Sequence, residues 1–279
     1  MIPPQLHRRT ALLLLLGALG VTPAARAACS RPVQIPVAPI GVGVTVDNGK
    51  VGGIYPDLLR SAAGAEGCEI RFQVVPRARQ ELMFETGLSD ILLPARRSPR
   101  RDEFGTFFPL IQSRAALVSL ERDGGHAPLE LHSLAELQQR HELRLAVVRG
   151  YDYGEAYQAL LRALGEQGRL QQAADPISLV RLLDAGVADL AIVAPTIVSG
   201  ALRGDERHRA LAARLHVETV DELGWGESGV YLSRRSRLNA RDREQLTAML
   251  VQMSKSGAAW REFQRNFPED TLKLTVRPR

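Results

Sequence analysis

The sequence predicts an α/β protein built as a two-lobed clamshell, each lobe a mainly parallel sheet flanked by helices, with two crossover strands. Three observations predict this. Strand-like and helix-like segments alternate β-α-β-α-β over residues 33–95, the alternation restarts at Leu143, and two extended stretches join the halves. Such alternation implies parallel strands joined by right-handed helical crossovers.

Each element has its own signal. VQIPVAP (33–39) is a strand, and VGVTVDNGKVGGIY (42–55) reads as a hairpin turning on Asp47-Asn48-Gly49-Lys50. PDLLRSAAGAEG (56–67) opens on proline and closes on glycine, as helices do. EIRFQVV (69–75) is the next strand, ARQELMFETG (78–87) a helix, and SDILLPA (89–95) a third strand. FPLIQSRAALVSLE (108–121) is extended and crosses to the second lobe. There LRLAVVRG (143–150) is a strand, YGEAYQALLRALGEQG and ISLVRLLDAG (177–186) are helices, and VADLAIVAP (187–195) is a buried strand. GWGESGVYLSRRS (224–236) crosses back, followed by helices over 240–257 and 258–268, and the tail LKLTVRPR reads as loosely held. The expected division is 28–115 with 228–279 as the first lobe and 116–227 as the second.

HRRTALLLLLGALG has a basic start and an apolar core from Ala11 to Leu19, and Ala25-Arg26-Ala27 is a small-x-small cleavage site. Residues 1–27 therefore read as a signal peptide removed after Ala27, which implies export to the periplasm. Arg8-Arg9 admits twin-arginine export, but the flanking residues favour ordinary secretion. Lipoprotein processing at Cys29 is disfavoured, because Arg26 occupies a position that wants an aliphatic residue.

Removing this segment changes the charge balance. The 36 basic residues less Arg8, Arg9 and Arg26 leave 33 against 31 acidic ones, a net charge of about +2. That excludes the charge footprint of a nucleic-acid binder. Cys29 precedes the first strand and Cys68 the second; adjacent parallel strands would bring them together. In an oxidising compartment a disulfide is expected, the alternative being two free thiols. No C-x-x-C occurs and the histidines 126, 132, 141, 208 and 216 lack ligand spacing, so neither metal nor cofactor is expected.

SDILLPARRSPRRDEFGTFFPL places Arg96, Arg97, Arg100 and Arg101 within six positions, between an apolar run and an aromatic one. With a nearly neutral chain around it, this cluster reads as the charged end of a small-ligand cleft or as a solvated loop.

An ordered series of motifs carries a resemblance. Gly53-Ile54-Tyr55-Pro56-Asp57-Leu58 starts a helix, and Thr86-Gly87-Leu88-Ser89-Asp90 enters a strand. Ser98-Pro99-Arg100-Arg101 leads to Phe107-Phe108-Pro109-Leu110, and Asp184-Ala185-Gly186-Val187-Ala188-Asp189 repeats the strand entry in the second half. Two helices separated by glycine close the fold. The chain thus resembles the periplasmic solute-binding proteins of bacterial ABC importers, polar-amino-acid branch, with the type II periplasmic-binding-protein-like clamshell.

The resemblance implies a small anionic or zwitterionic ligand held between the lobes and handed to an importer permease or a membrane sensor. It makes Arg101 the carboxylate ligand and Ser98 its hydroxyl neighbour, with Arg100 as the alternative if the register slips by one. A guanidinium fork matches a carboxylate. Arg96 and Arg97 then stand at the rim. The departure is Ala194, which with Pro195 falls where amino-acid binders carry the aspartate that takes the ligand's ammonium. A buried ammonium needs a counter-charge. Either the ligand lacks an α-amino group, or another acid serves. Asp152, in Gly150-Tyr151-Asp152-Tyr153-Gly154, is that acid or a helix cap. Tyr151 and Tyr153 would add an aromatic wall, and Glu227 beside Trp225 is a weaker candidate acid. Trp225 itself reads as hinge packing. Arg77 and Arg79 either face the cleft or lie on the surface.

Alternatives remain within the same fold. A cyclohexadienyl-dehydratase-like enzyme would use Glu227 or Asp152 as general acid. A ligand sensor or a periplasmic accessory protein would keep the cleft and change the partner. No independent catalytic motif occurs, since GESG fails the G-x-S-x-G spacing and no P-loop or H-E-x-x-H is present. The chain is therefore read as a monomeric binding protein with no catalytic residue.

Overall fold

The computed structural model describes residues 29–121 and 129–279. The signal segment, residues 1–27, lies outside the described residues. Among those described, no helix is long and apolar enough to cross a membrane.

The chain opens with β1 (Val33–Val37), then the hairpin β2 (Thr45–Asp47) and β3 (Lys50–Gly52). Asn48 and Gly49 supply the positive φ that such a tight turn demands. Next come α1 (Ile54–Ala65), β4 (Ile70–Val74), α2 (Arg77–Glu85), β5 (Ile91–Arg96), the single turn α3 (Pro99–Asp102) and β6 (Gly105–Ser113). The chain crosses over at Arg114–Ala115. It continues with β7 (Ala116–Leu120), α4 (Leu134–Gln139), β8 (Leu145–Val148), α5 (Glu155–Glu166) and β9 (Leu170–Ala173). Then follow α6 (Pro176–Asp184), β10 (Leu190–Val193), α7 (Pro195–Gly204) and β11 (Leu215–Glu218). β12 (Gly226–Ser233) returns to the first sheet, and α8 (Ala240–Lys255), α9 (Ala258–Asn266), α10 (Glu269–Thr275) and β13 (Val276–Arg277) complete the fold.

Strands β11-β7-β10-β8-β9 form one sheet; β13-β6-β12-β5 form another, beside the pair β1-β4. Helical crossovers give the expected parallel pairs β1-β4, β8-β9 and β8-β10. The strands arriving from the opposite lobe instead run antiparallel: β12 against β5 and β6, β7 against β10 and β11. A parallel neighbour needs a crossover helix, and these strands enter without one. The apolar residues of β5 and β10 are fully buried, so both strands read as continuous hydrophobic runs.

Three local features had no clear apolar signature. β9 carries a Gln-Gln pair because it is an edge strand. α7 contains β-branched residues and two glycines, yet Pro195 presets its first turn and Val198 and Leu202 bury against the sheet. The tail, expected to be loose, is packed: Thr275 and Val276 are buried, and β13 pairs with the edge of β6.

The disulfide Cys29–Cys68 is formed, with the Cα atoms 4.9 Å apart. It joins the chain just before β1 and β4, whose parallel register starts at Val33 opposite Ile70. Trp225 lies in the returning crossover with the guanidinium groups of Arg114 (5.0 Å) and Arg277 (4.3 Å) over its ring, a packing role. The lobes also touch backbone to backbone. A Cβ built on Gly200 of α7 would stand 2.6 Å from the amide nitrogen of Val42, in the loop after β1.

Candidate functional site

The carboxyl ends of β5, β8 and β10 and the starts of α2 and α7 converge on the space between the lobes. In sheets of this kind that is where ligands bind. Two connected cavities lie there. One, of about 90 Å³, is walled mostly by apolar side chains. The other, of about 330 Å³, is the polar mouth bordered by Ser98, Arg100 and Arg149. Arg101, Tyr151 and Asp152 separate and line both.

Arg101 is buried, and Glu81 takes most of its fork. Nε donates to Oε2 at 3.1 Å and Nη2 to Oε1 at 2.8 Å, while Nη1 donates to the Arg96 carbonyl at 2.7 Å. Arg77 is also buried and donates to Glu81 Oε1 at 2.5 Å, to Gln80 Oε1 at 3.0 Å and to the Pro94 carbonyl at 2.9 Å. Gln80 in turn donates to the carbonyls of Pro36 and Leu93. The triad carries two positive charges against one negative. Burial pushes the Glu81 carboxyl up, but Arg77 and Arg101 together outweigh it and hold it below the ordinary glutamate value. For Arg101 burial is outweighed by Glu81, so its pKa rises; for Arg77 burial prevails and its pKa falls. Neither Arg77 nor Glu81 stands out in sequence as a coupled pair except by their i,i+4 spacing on α2.

Arg96 holds a different position. Its Nη1 donates to the Ser113 carbonyl (2.8 Å) and its Nη2 to the Gly224 carbonyl (2.9 Å), so backbone acceptors orient it across the hinge without cancelling its charge. Gly226 makes room, since a Cβ there would meet Cζ of Arg96 at 2.3 Å. Burial pushes its pKa down, and Tyr153 and Asp152 act in the opposite sense.

The second lobe contributes an aromatic wall. Tyr151 and Tyr153 meet edge to face at 6.1 Å, and Tyr153 meets Tyr157 likewise at 5.1 Å. The Ala194 amide donates to Tyr153 Oη at 3.4 Å. Asp152 Oδ1 accepts from the Gly154 amide (3.0 Å) and from Gln158 Nε2 (3.2 Å), so Asp152 braces the start of α5 while still bordering both cavities. Of the five buried side-chain polar atoms without a partner among the described residues, three lie here: Arg77 Nε, Tyr151 Oη and, beside the polar mouth, Tyr157 Oη. Arg77 and Tyr151 line the apolar-walled cavity.

No family model matches the chain, and no curated protein matches it in sequence. Solved structures do match over most of its length. A histidine kinase sensor domain with similarity to periplasmic binding proteins aligns with a TM-score of 0.64 at 19% identity, covering 84% of this chain and 95% of that one. The ancestral amino acid-binding protein AncCDT-1, a precursor of cyclohexadienyl dehydratase, aligns at 0.63 and 16%, covering 85% and 95%. An amino acid ABC transporter substrate-binding protein from Streptococcus pneumoniae, bound to L-arginine, aligns at 0.62 and 16%, covering 84% and 92%. The chain has the type II periplasmic-binding fold.

Within this fold the residues singled out in the sequence separate into three groups. Arg96, Arg101, Tyr151, Asp152 and Ala194 line the inter-lobe cavity, and Arg77 joins them. Ser98 and Arg100 stand at the polar mouth: the Ser98 hydroxyl caps the Arg101 amide (3.4 Å), and Arg100 is exposed and pairs with Glu85 at 2.6 Å. Glu227, Arg97, Trp225 and Arg79 stay outside the cavity lining. Glu227 faces Arg97 (3.4 Å), which also pairs with Asp102 (3.1 Å). The alternation of β12 is the reason, since it turns Ser228 into the cavity and its neighbour Glu227 away. Sequence reasoning missed the apolar wall of Ile40, Ile111, Phe263 and Phe267, whose members come from the loop after β1, from β6 and from α9 with its C-cap. Among the described residues no cluster of three or more His, Cys, Asp or Glu is placed to hold a metal ion.

Proposed function

We propose that the protein captures a small carboxylate-bearing solute, an amino acid or related organic acid, between its lobes in the periplasm and presents it to an ABC-importer permease. One observation carries this reading. In the apolar-walled cavity Arg77, Arg96 and Arg101 are set against Asp152 in the same wall and Glu81 behind it, so this set holds one positive charge more than its carboxylates balance. Arg149 at the mouth, its guanidinium bonded among the described residues only to Gln172, adds another. A buried charge wants a counter-ion, and an incoming carboxylate supplies it. Arg96 and the unused N–H groups of Arg101 are its anchors, with Arg77 Nε and the Tyr151 hydroxyl completing the donors. Arg100 and Ser98 guide it through the mouth, and Asp152 and Ala194 shape the second-lobe side.

The similarity to an amino acid ABC transporter substrate-binding protein and to an amino acid-binding ancestor supports capture over turnover. So does the commitment of the candidate acids, Glu227 to Arg97 and Asp152 to its helix start. The chain then has no catalytic residue and works as a monomer. The similarity to a histidine kinase sensor domain favours one second reading, in which the same liganded clamshell docks on a membrane sensor.

Mass spectrometry of solute released from the purified mature chain, combined with a thermal-shift screen of carboxylates, tests this. A ligand at 100 times its Kd stabilises the fold by about 2.7 kcal/mol. Arg96→Met is expected to abolish the shift while leaving the unliganded melt near wild type. Turnover of prephenate, lost in Asp152→Asn, would instead establish the enzyme.

A further inference from the structure

The chemistry of the cavity says more about its occupant than that it carries a carboxylate. Beyond the arginines and Asp152, the wall is mostly apolar, with Ile40, Val42, Ile111, Ile197, Phe263 and Phe267, and the hydroxyls of Tyr55, Tyr151, Tyr153, Ser113, Ser228 and Thr196 interrupt it. Among the described residues no carboxylate other than Asp152 lines this cavity, and Asp152 shares the wall with Arg96 and Arg101 while already accepting two hydrogen bonds. Ala194 brings no acid to the second-lobe wall, and its backbone amide donates to a phenol, Tyr153 Oη. Ala194 itself is buried and lines the cavity.

We infer that the preferred ligand is an ammonium-free monocarboxylate with an apolar tail. The inference rests on the reading that the cleft captures a carboxylate, and it narrows the class. Charge counting gives the first half. Three guanidinium groups, Arg77, Arg96 and Arg101, stand against Glu81 and Asp152, so one added carboxylate brings the set to balance. A zwitterion restores the excess and places its ammonium beside apolar walls and like charges, with no acid free to receive it. A second carboxylate overshoots within this cavity, since the one further guanidinium without an acid among the described residues of the cleft, Arg149, stands out at the mouth. Geometry gives the second half. Arg77 Nε and Tyr151 Oη, both buried without partners among the described residues, belong to residues of this wall, as does the Tyr55 hydroxyl. The Ser113–Ser228 hydroxyl pair (2.6 Å) is already mutually bonded. The remaining surface offers contact to hydrocarbon and little hydrogen bonding, so the tail gains by leaving water. Thr196, at the start of α7, is the polar exception on that side.

Calorimetric titration of the mature chain, refolded to strip resident solute, against matched pairs tests this. Hexanoate is compared with norleucine, and 3-phenylpropionate with phenylalanine, each pair differing only in the α-amino group. The acids are expected to bind at least 100-fold tighter than their amino counterparts. Along propionate, butyrate, pentanoate and hexanoate the affinity should rise about fourfold per added CH2 until the wall is filled. Ala194→Asp, which adds the missing carboxylate at a helix start that tolerates it, should reverse the preference within each pair. Amino acids binding as tightly as the acids would overturn the inference while leaving carboxylate capture intact. Tight binding confined to short hydroxy acids or dicarboxylates would likewise overturn it and spare capture. If no carboxylate binds at all, both fall.

Discussion

Gly200 is the position where closure of the clamshell can be tested separately from folding. It lies inside α7, where alanine is a better helix former by roughly 0.5–1 kcal/mol. Its missing side chain faces the other lobe, with a Cβ standing 2.6 Å from Val42 N, 3.0 Å from Gly41 Cα and 3.2 Å from Gly41 C. All three are backbone atoms and cannot rotate aside. To reach ordinary contact at 3.4 Å the lobes must separate by roughly 0.8 Å at this point. Overpacking of this kind costs about 1–3 kcal/mol when the parts stay together. Gly200→Ala should therefore favour α7 locally yet weaken ligand affinity by about 5- to 150-fold, since each 1.4 kcal/mol is tenfold. Small-angle scattering should show a larger radius of gyration for the variant at sub-saturating ligand. Gly204→Ala is the control: it lies in the same helix and its Cβ meets nothing within 4 Å, so it should leave affinity unchanged. Wild-type affinity and scattering in Gly200→Ala would show that the ligand is not trapped by this contact.

Other perturbations follow from the same geometry. Glu81→Gln leaves Arg77 and Arg101 buried against each other without their shared carboxylate, and urea unfolding at neutral pH should show a loss of about 3–5 kcal/mol. The Glu81 carboxyl is held below its ordinary value of 4.5, so its stabilisation is present above that pH and is lost as the pH falls through the folded value. Wild type and Glu81→Gln should therefore converge in stability on acidification. Reducing Cys29–Cys68, or replacing both residues by serine, releases a loop of 39 residues and should cost about 3–4 kcal/mol, a fall in Tm of about 10 °C by calorimetry. Arg277→Ala removes a guanidinium lying over the Trp225 ring and a hydrogen bond to Gln112 (2.7 Å). It should red-shift tryptophan emission and cost about 1 kcal/mol.

The alternation of strands and helices, the lobe restart at Leu143, the hairpin at Asn48-Gly49 and the pairing of Cys29 with Cys68 were all legible in the sequence. Each rests on local periodicity or on the order of elements, which nearest neighbours along the chain encode. The same local signals located the charged and aromatic part of the cavity lining, because arginines clustered after a buried strand must end at its carboxyl edge. They did not assign partners. Whether a guanidinium is free or spent depends on which acid from another element reaches it. Tertiary packing delivered Glu81 from α2 to Arg101, and left Arg96 with carbonyls from β6 and the returning crossover. It likewise turned Glu227 outward by one step of strand alternation and brought the supposedly loose tail into the first sheet. Chain order thus determined that there would be a basic cleft between two lobes. Three-dimensional packing decided which charge in it is left over, because compensation of buried charge is a property of contacts across the fold.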